Sequence, residues 1–218
     1  LRTQGKITSK GYSLSGMVRV ALGTTTISGC ISAVNITSSY DNGGCDAAGM
    51  VECVRDNANV TITDCLVKGS ITDNADESER AMAGFVFFNG GTYTLTRCLY
   101  VGTNNAENNG DRTNTFAHNA TLNNCHYLKP CGNAQGEQVT VEQLKSGEVT
   151  YKLQNGRDTQ FWGQDLDTDN EPQLTADAAK HVYEVKFTYN NKVAATRYAN
   201  SGKAIAGGMP TLTAKDLL

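Results

Sequence analysis

The sequence predicts an all-β protein whose residues 1–136 wind into a right-handed parallel β-helix, and three observations carry that expectation. One segment recurs four times, as TISGCIS at 26–32, TITDCLV at 61–67, TLTRCLY at 94–100 and TLNNCHY at 121–127. Each copy reads Thr-(Ile/Leu)-x-x-Cys, and Cys30, Cys65, Cys98 and Cys125 follow one another at steps of 35, 33 and 27 residues. A second motif keeps the same rhythm, as SGMVRV at 15–20, AGMVECV at 48–54 and AGFVFF at 83–88. Finally, the chain has 22 Gly and only 3 Pro in 218 residues, arranged as short alternating runs with no long helical period. Repeats of this length, each too small to bury its own aliphatic face, stack into solenoids.

The second repeat shows how one coil is built. Gly49 to Val54 reads as a strand in which Met50, Glu52 and Val54 alternate with Val51 and Cys53, and Arg55-Asp56-Asn57 makes a turn. A second strand, NVTITDC, points Val60 and Ile62 one way and Thr61 and Thr63 the other. A third runs through LVKGSIT and breaks into the polar loop DNADESER. Stacked coils then give an interior ladder of Ile27, Ile62, Leu95 and Leu122, a ladder of the four cysteines, and an outward ladder of Thr26, Thr61, Thr94 and Thr121. The fourth coil keeps its cysteine strand but loses the glycine strand, so the array needs a closing element.

That element is expected over 137–176. Thr140 and Gln143 stand at capping-box spacing, Ser146-Gly147 interrupts a helical stripe, and Asn155-Gly156 stops it. Irregular structure follows through FWGQDLDTDNEPQL. Residues 177–218 form a third segment, a hairpin of VYEVKFTY and KVAATRYA turning at Asn190-Asn191, with Tyr183, Val185, Phe187 and Tyr189 on one face. It either leans on the cap or opens a module that continues past Leu218.

Net charge is −3 with no Lys/Arg cluster, which argues against nucleic acid as a partner. No apolar run approaches the roughly 20 residues of a membrane-spanning helix. Leu1 is no initiator, so the chain reads as a piece of a longer precursor. The seven cysteines include no CxxC pair. The four in phase read as small apolar core fillers, reduced and stacked in order, because stacked Cβ atoms lie about 4.8 Å apart and a disulfide wants about 3.8 Å. Cys45, Cys53 and Cys131 fall outside the phase, and a Cys45–Cys53 bridge stays open.

The repeats resemble the GLUG-type β-helical repeats of large surface proteins from gut Bacteroidetes and Firmicutes, in AGMVECV with TITDCLV and in AGFVFF with TLTRCLY. The tail resembles the segment that closes such arrays, through Ser146, Gly147, Glu148, Tyr151, Leu153, Asn155, Trp162, Gln164, Asp169, Pro172 and Leu174. It departs at Asp167, where that family carries Gly. The resemblance implies export and surface display, with no chemistry attached.

Asp165, Asp167 and Asp169 have the spacing that opens a calcium loop, but Gly is missing after the third and Ala176 stands at position twelve, so a solvated turn is the reading. Lys68, Arg80 and Arg97 near Asp64 and Asp73 form no lyase or hydrolase motif, and His118, His126 and His181 form no triad or HExxH pattern. The Asn-x-Thr triplets at Asn35, Asn59 and Asn119 are read as coincidence in an Asn- and Thr-rich solenoid. No catalytic residue, metal or cofactor is therefore assigned. The expected role is a non-catalytic, monomeric segment of a secreted or cell-surface bacterial protein, serving adhesion or binding a host or dietary glycan or host surface protein. A polysaccharide lyase or glycoside hydrolase, and a plain spacer, are the alternatives. The expected working edge is the set of loops at 38–46, 73–80 and 104–112, which contribute Tyr40, Asp41, Asn42, Asp73, Asn74, Asn104, Asn105 and Asn108. Tyr100 and Tyr127, both two residues after a repeat cysteine, either stack on sugar rings or pack beneath those loops.

Overall fold

Every strand pair described in residues 1–138 is parallel, so successive coils stack in register along one axis. This computed structural model describes residues 1–55, 57–87, 90–213 and 215, so Asp56 of the expected turn and Phe88 of the third glycine strand lie outside the described residues. The chain divides into two units, Leu1–Gln138 and Val139–Leu218. The first is a parallel β-solenoid of three coils and a shortened fourth.

Each coil visits up to four sheets in turn. The first sheet stacks Ser13–Ser15, Asp46–Ala48, Ala81–Ala83 and Thr113–Asn114. The second pairs Val18–Ala21 with Val51–Val54, and Val86 bridges on to Val51. The third stacks Thr24–Ser28, Asn59–Thr63, Thr92–Thr96 and Thr121–Asn123. The fourth holds Ile31–Ser38 and its successors, with Arg2–Ser9 alongside and Glu137–Gln138 against His126–Tyr127.

The expected ladders are in place. Ile27, Ile62, Leu95 and Leu122 are register partners, as are Thr26, Thr61, Thr94 and Thr121. The first three aliphatic residues are buried and Leu122, on the last coil, is half-buried. All seven cysteines are buried and unbridged, Cys45 and Cys53 included.

The repeat cysteines do more than fill space. Each follows a residue with positive φ, namely Gly29 at 62°, Asp64 at 52°, Arg97 at 53° and Asn124 at 53°. This left-handed residue turns the chain from the third sheet into the fourth, and for a side chain such as that of Arg97 it costs about 1–2 kcal/mol. Backbone hydrogen bonds to the next coil offset that cost: Gly29 N to Thr63 O, Asp64 N to Thr96 O and Arg97 N to Asn123 O, at 3.1, 3.0 and 2.8 Å. The thiols reach the carbonyls that this corner exposes. Cys65 Sγ donates to Thr63 O at 3.3 Å and to Ile27 O of the neighbouring coil at 3.8 Å. Cys98 repeats the pattern on Thr96 O and Ile62 O, and Cys125 repeats it on Asn123 O and Leu95 O. A weak donor that is also small and apolar suits this position.

The glycine motif has a steric cause. A Cβ built on Gly16 would overlap the carbonyl oxygen of Gly49, one on Gly49 that of Gly84, and one on Gly84 that of Thr115. The space left beside these glycines is filled by the residue two after each cysteine. Ser32, Val67, Tyr100 and Tyr127 are all buried, and the Tyr100 ring lies 2.9 Å from where a Gly84 Cβ would stand.

The simple alternation expected after Gly49 does not hold, because Met50 through Val54 are all buried. Met50, Val51 and Val54 join the core, whereas Glu52 faces Ser13 and Asp46 of the first sheet. Phe87 likewise packs on Ala48, Ala81 and Ala83. The coil is therefore indented at the glycine corner, where the outer faces of the first two sheets approach each other.

In the second unit, Thr140 and Gln143 form the capping box of helix α1 (Val141–Ser146), and Gly147 turns the chain at φ 88° into helix α2 (Glu148–Gln154). Trp162–Gly163 pairs antiparallel with Gln173–Leu174, a short ladder where irregular structure was expected. Gln164 and Asn200 are buried and tie this unit together. Gln164 accepts from Thr150 and donates to Leu144 O, while Asn200 donates to Gln164 O and His181 O. The hairpin Val182–Tyr189/Lys192–Asn200 turns at Asn190 and Asn191, with φ of 48° and 62°. It packs Tyr198 on Tyr151 of α2, ring centroids 5.7 Å apart. A register shift lies between Phe187 and Thr188, and Tyr183 and Tyr189 are exposed while Val185 and Phe187 are half-buried. No described helix is long and apolar enough to cross a membrane.

Gly49→Ala destabilises by at least about 2 kcal/mol in urea unfolding, because neither backbone at the overlap can yield. Gly23→Ala, with open space around it and φ of 58°, costs about 1 kcal/mol. In thiol titration Cys45, Cys65, Cys98 and Cys131 stay largely unreactive in the native chain even at pH 9, since burial raises each of them, Cys65 and Cys131 to about 12, and all seven thiols react once urea unfolds it. Rapid reaction of Cys65 or Cys98 in the native state would contradict the buried stack.

Candidate functional site

The three long loops stack along one edge of the solenoid because their anchors are register partners. Ser38 and Asp73 pair across the first two coils, and Ile71 pairs with Asn104 across the next. Side chains then brace loop on loop. Asp73 accepts from Cys45 N at 2.8 Å, and Asn105 both accepts from Asp73 N and donates to Asp73 O. Arg80 donates to Ala75 O and Asn105 O, Asn109 to Ser78 O and Arg80 O, and Arg112 to Glu79 O.

This bracing sorts the expected binding residues into two groups. Asp73, Tyr100 and Tyr127 are buried, so none offers a face to a ligand, and the two tyrosines pack beneath the loops. Asn104 is committed to Tyr100 OH, Pro130 O and Ala106 N, and Asn105 to the two Asp73 backbone groups. Asp41, Asn42, Asn74 and Asn108 are exposed, and Tyr40 is half-buried at the rim.

Tyr40 has a partner that the loop pattern did not indicate. Tyr12, 50% exposed, meets it edge-on with ring centroids 5.4 Å apart and an interplanar angle of 69°. The Tyr12 hydroxyl faces the Asp46 carboxyl, with the Arg112 charge close to both. Burial raises the Asp46 pKa, while Tyr12 and Arg112 lower it. Deeper in the indentation lies Glu52, only 4% exposed, whose Oε2 has no hydrogen-bond partner among the described residues. Arg19 Nε stands 3.9 Å from that oxygen, too long for a hydrogen bond. Burial raises the Glu52 pKa, and the charge of Arg19 and the Ser13 hydroxyl oppose the rise.

A pair of aromatic rings with a carboxylate and a guanidinium at its edge can stack on the apolar face of a sugar and hydrogen-bond its hydroxyls. Asp46 and Arg112 sat inside the loops picked out by sequence, but Tyr12, Arg19 and Glu52 did not. The available signal was an acid at Glu52, in the strand column that carries Arg19 and Phe87 on the neighbouring coils. The sequence alternatives resolve differently. Lys68 and Arg97 are half-buried and apart from the indentation, Arg80 is a loop brace, and Asp165, Asp167 and Asp169 serve their own turn and the ammonium groups of Lys180 and Lys203. His118, His126 and His181 contact Asp111, Glu137 and Gln160 respectively. Among the described residues no cluster of three or more His, Cys, Asp or Glu is placed to hold a metal ion. No protein-family model, curated protein or solved structure matches the chain.

Glu52 titration makes a stability prediction. A carboxyl raised in the folded state keeps its proton to higher pH there than in the unfolded chain, where the reference value is 4.5. Its contribution therefore favours the native state below that value and declines as pH climbs through the raised folded value. Glu52→Gln removes the buried charge and is expected to stabilise by about 1 kcal/mol at pH 7, a gain that vanishes below pH 4.5. Urea unfolding at pH 7 and pH 4 distinguishes this from a pH-independent effect.

Proposed function

We propose that this chain is a non-catalytic segment of a secreted or cell-surface bacterial protein, akin to the GLUG-type repeat proteins, and that its loop edge binds glycan in adhesion. The Tyr12–Tyr40 pair carries this reading. Two rings at a solenoid rim, beside Asp46 and Arg112, supply the apolar platform and the charged hydrogen-bonding groups that a polyhydroxylated ligand needs. The exposed Asp41, Asn42, Asn74 and Asn108 extend the polar surface along the same edge. Surface display rests on the resemblance of the repeats and the closing tail.

A glycan array with the intact chain is the direct test. Binding is expected to at least one glycan or mucin preparation, and Tyr12→Ala and Tyr40→Ala should each weaken it about tenfold, the scale of one lost aromatic stacking contact. If nothing binds above background, or binding survives both substitutions, the spacer reading replaces this one. Two neighbouring carboxyls raised mainly by burial, Asp46 and Glu52, with the Asp46 charge adding to the rise at Glu52, favour the hydrolase alternative. Release of reducing ends from a bound polysaccharide, lost in Glu52→Gln, would replace binding with hydrolysis.

A further inference from the structure

We propose that the second unit carries a separate binding site for a small amphipathic monocarboxylate, a ligand with one anionic head and an apolar body. The site is a groove of about 740 Å³ between α1, the second hairpin strand and the segment at 204–207. That volume is in the range of small-ligand pockets, roughly 300–1,000 Å³. Leu166, Tyr198, Ile205 and Ala206 supply apolar surface. The wall at 204–207 is held in place by a hydrogen bond from Ala206 N to Tyr198 O at 2.9 Å, and Tyr198 is itself seated on Tyr151.

The charges along the groove decide what it prefers. Three carboxylates line it, and each is already engaged. Glu148 accepts from Gln143 Nε2 at 2.9 Å and pairs with Lys152 Nζ at 3.0 Å. Asp167 pairs with Lys203 Nζ at 3.0 Å. Glu142, in the first turn of α1, is stabilised as an anion by hydrogen bonds to the backbone and to Thr140 and by the Lys145 charge. Lys145 also lines the groove, and its charge favours the Glu142 anion without forming an ion pair among the described residues. Arg197 differs. Its Nη1 donates to Thr196 O at 2.9 Å, and no carboxylate lies within ion-pair distance among the described residues.

The groove therefore has one uncommitted guanidinium above an apolar floor. A carboxylate can pair with it in the two-point geometry that guanidinium favours. A phosphate monoester, with close to two negative charges, would meet the repulsion of three carboxylates along the groove, and only Arg197 offers it a planar two-point donor beside the apolar floor. An uncharged alcohol would gain the floor and forgo the ion pair.

The test titrates octanoate, 1-octanol and octyl phosphate into the whole chain, followed by amide chemical shifts. Octanoate should bind saturably, moving the amides of Thr196, Arg197, Tyr198 and the 204–207 segment, with the other two at least about tenfold weaker. Arg197→Glu should cost octanoate at least about tenfold while leaving the melting temperature unchanged, since Arg197 holds only an adjacent carbonyl. Ala206→Trp should block octanoate and 1-octanol alike by filling the groove. Equal affinity for octanoate and 1-octanol, unchanged octanoate binding in Arg197→Glu, or shifts confined to other residues would each overturn the proposal. None of these outcomes bears on glycan binding at the solenoid edge.

Discussion

Backbone stacked on backbone at one strand spacing governs this structure. When coils lie about 4.8 Å apart in register, each residue has the same residue of the neighbouring coil directly above it. A column can then hold only what tolerates its own copy at that distance. At Gly16, Gly49 and Gly84 the neighbour is a carbonyl oxygen sitting where a Cβ would be, so the column admits glycine alone. At the corner before each cysteine, left-handed backbone leaves carbonyls turned inward, and a thiol meets them without adding bulk. The repeats recur because these two corners do.

The same constraint explains where variation is allowed. Loop residues between the fourth sheet and the first leave the register, so they differ in length and composition from coil to coil. They are nevertheless brought together because their anchoring strands are register partners. Asn105 and Asp73 then tie adjacent loops by backbone-mimicking hydrogen bonds. Polar residues in such loops therefore split between braces and free surface, and composition cannot say which is which.

Glu52 is the place where local and global demands conflict. Its strand lies where the outer faces of two sheets approach, so a side chain that alternation would send to water is desolvated with one oxygen unsatisfied. The alanines at 48, 81 and 83 resolve the same crowding the other way, by leaving room for Phe87. A buried, incompletely satisfied acid costs stability, and such costs concentrate at working surfaces.

The sequence by itself determined the solenoid, its ladders, the unbridged cysteine stack, the capping box and the Asn-Asn hairpin turn. Each of these is local or periodic: a corner, a cap or a column repeats a residue type, and repetition is visible without coordinates. Tertiary structure decided the rest. It buried Tyr100, Tyr127 and Asp73, because whether a strand residue faces core or solvent depends on which way the coil bends, and the indentation at the glycine corner has no periodic mark. It also brought Tyr12 to Tyr40, from successive coils, and set Asp46 within reach of the Arg112 charge two coils away. Columns could be read along the chain, but a surface made across columns, by side chains leaving the register, existed only in three dimensions.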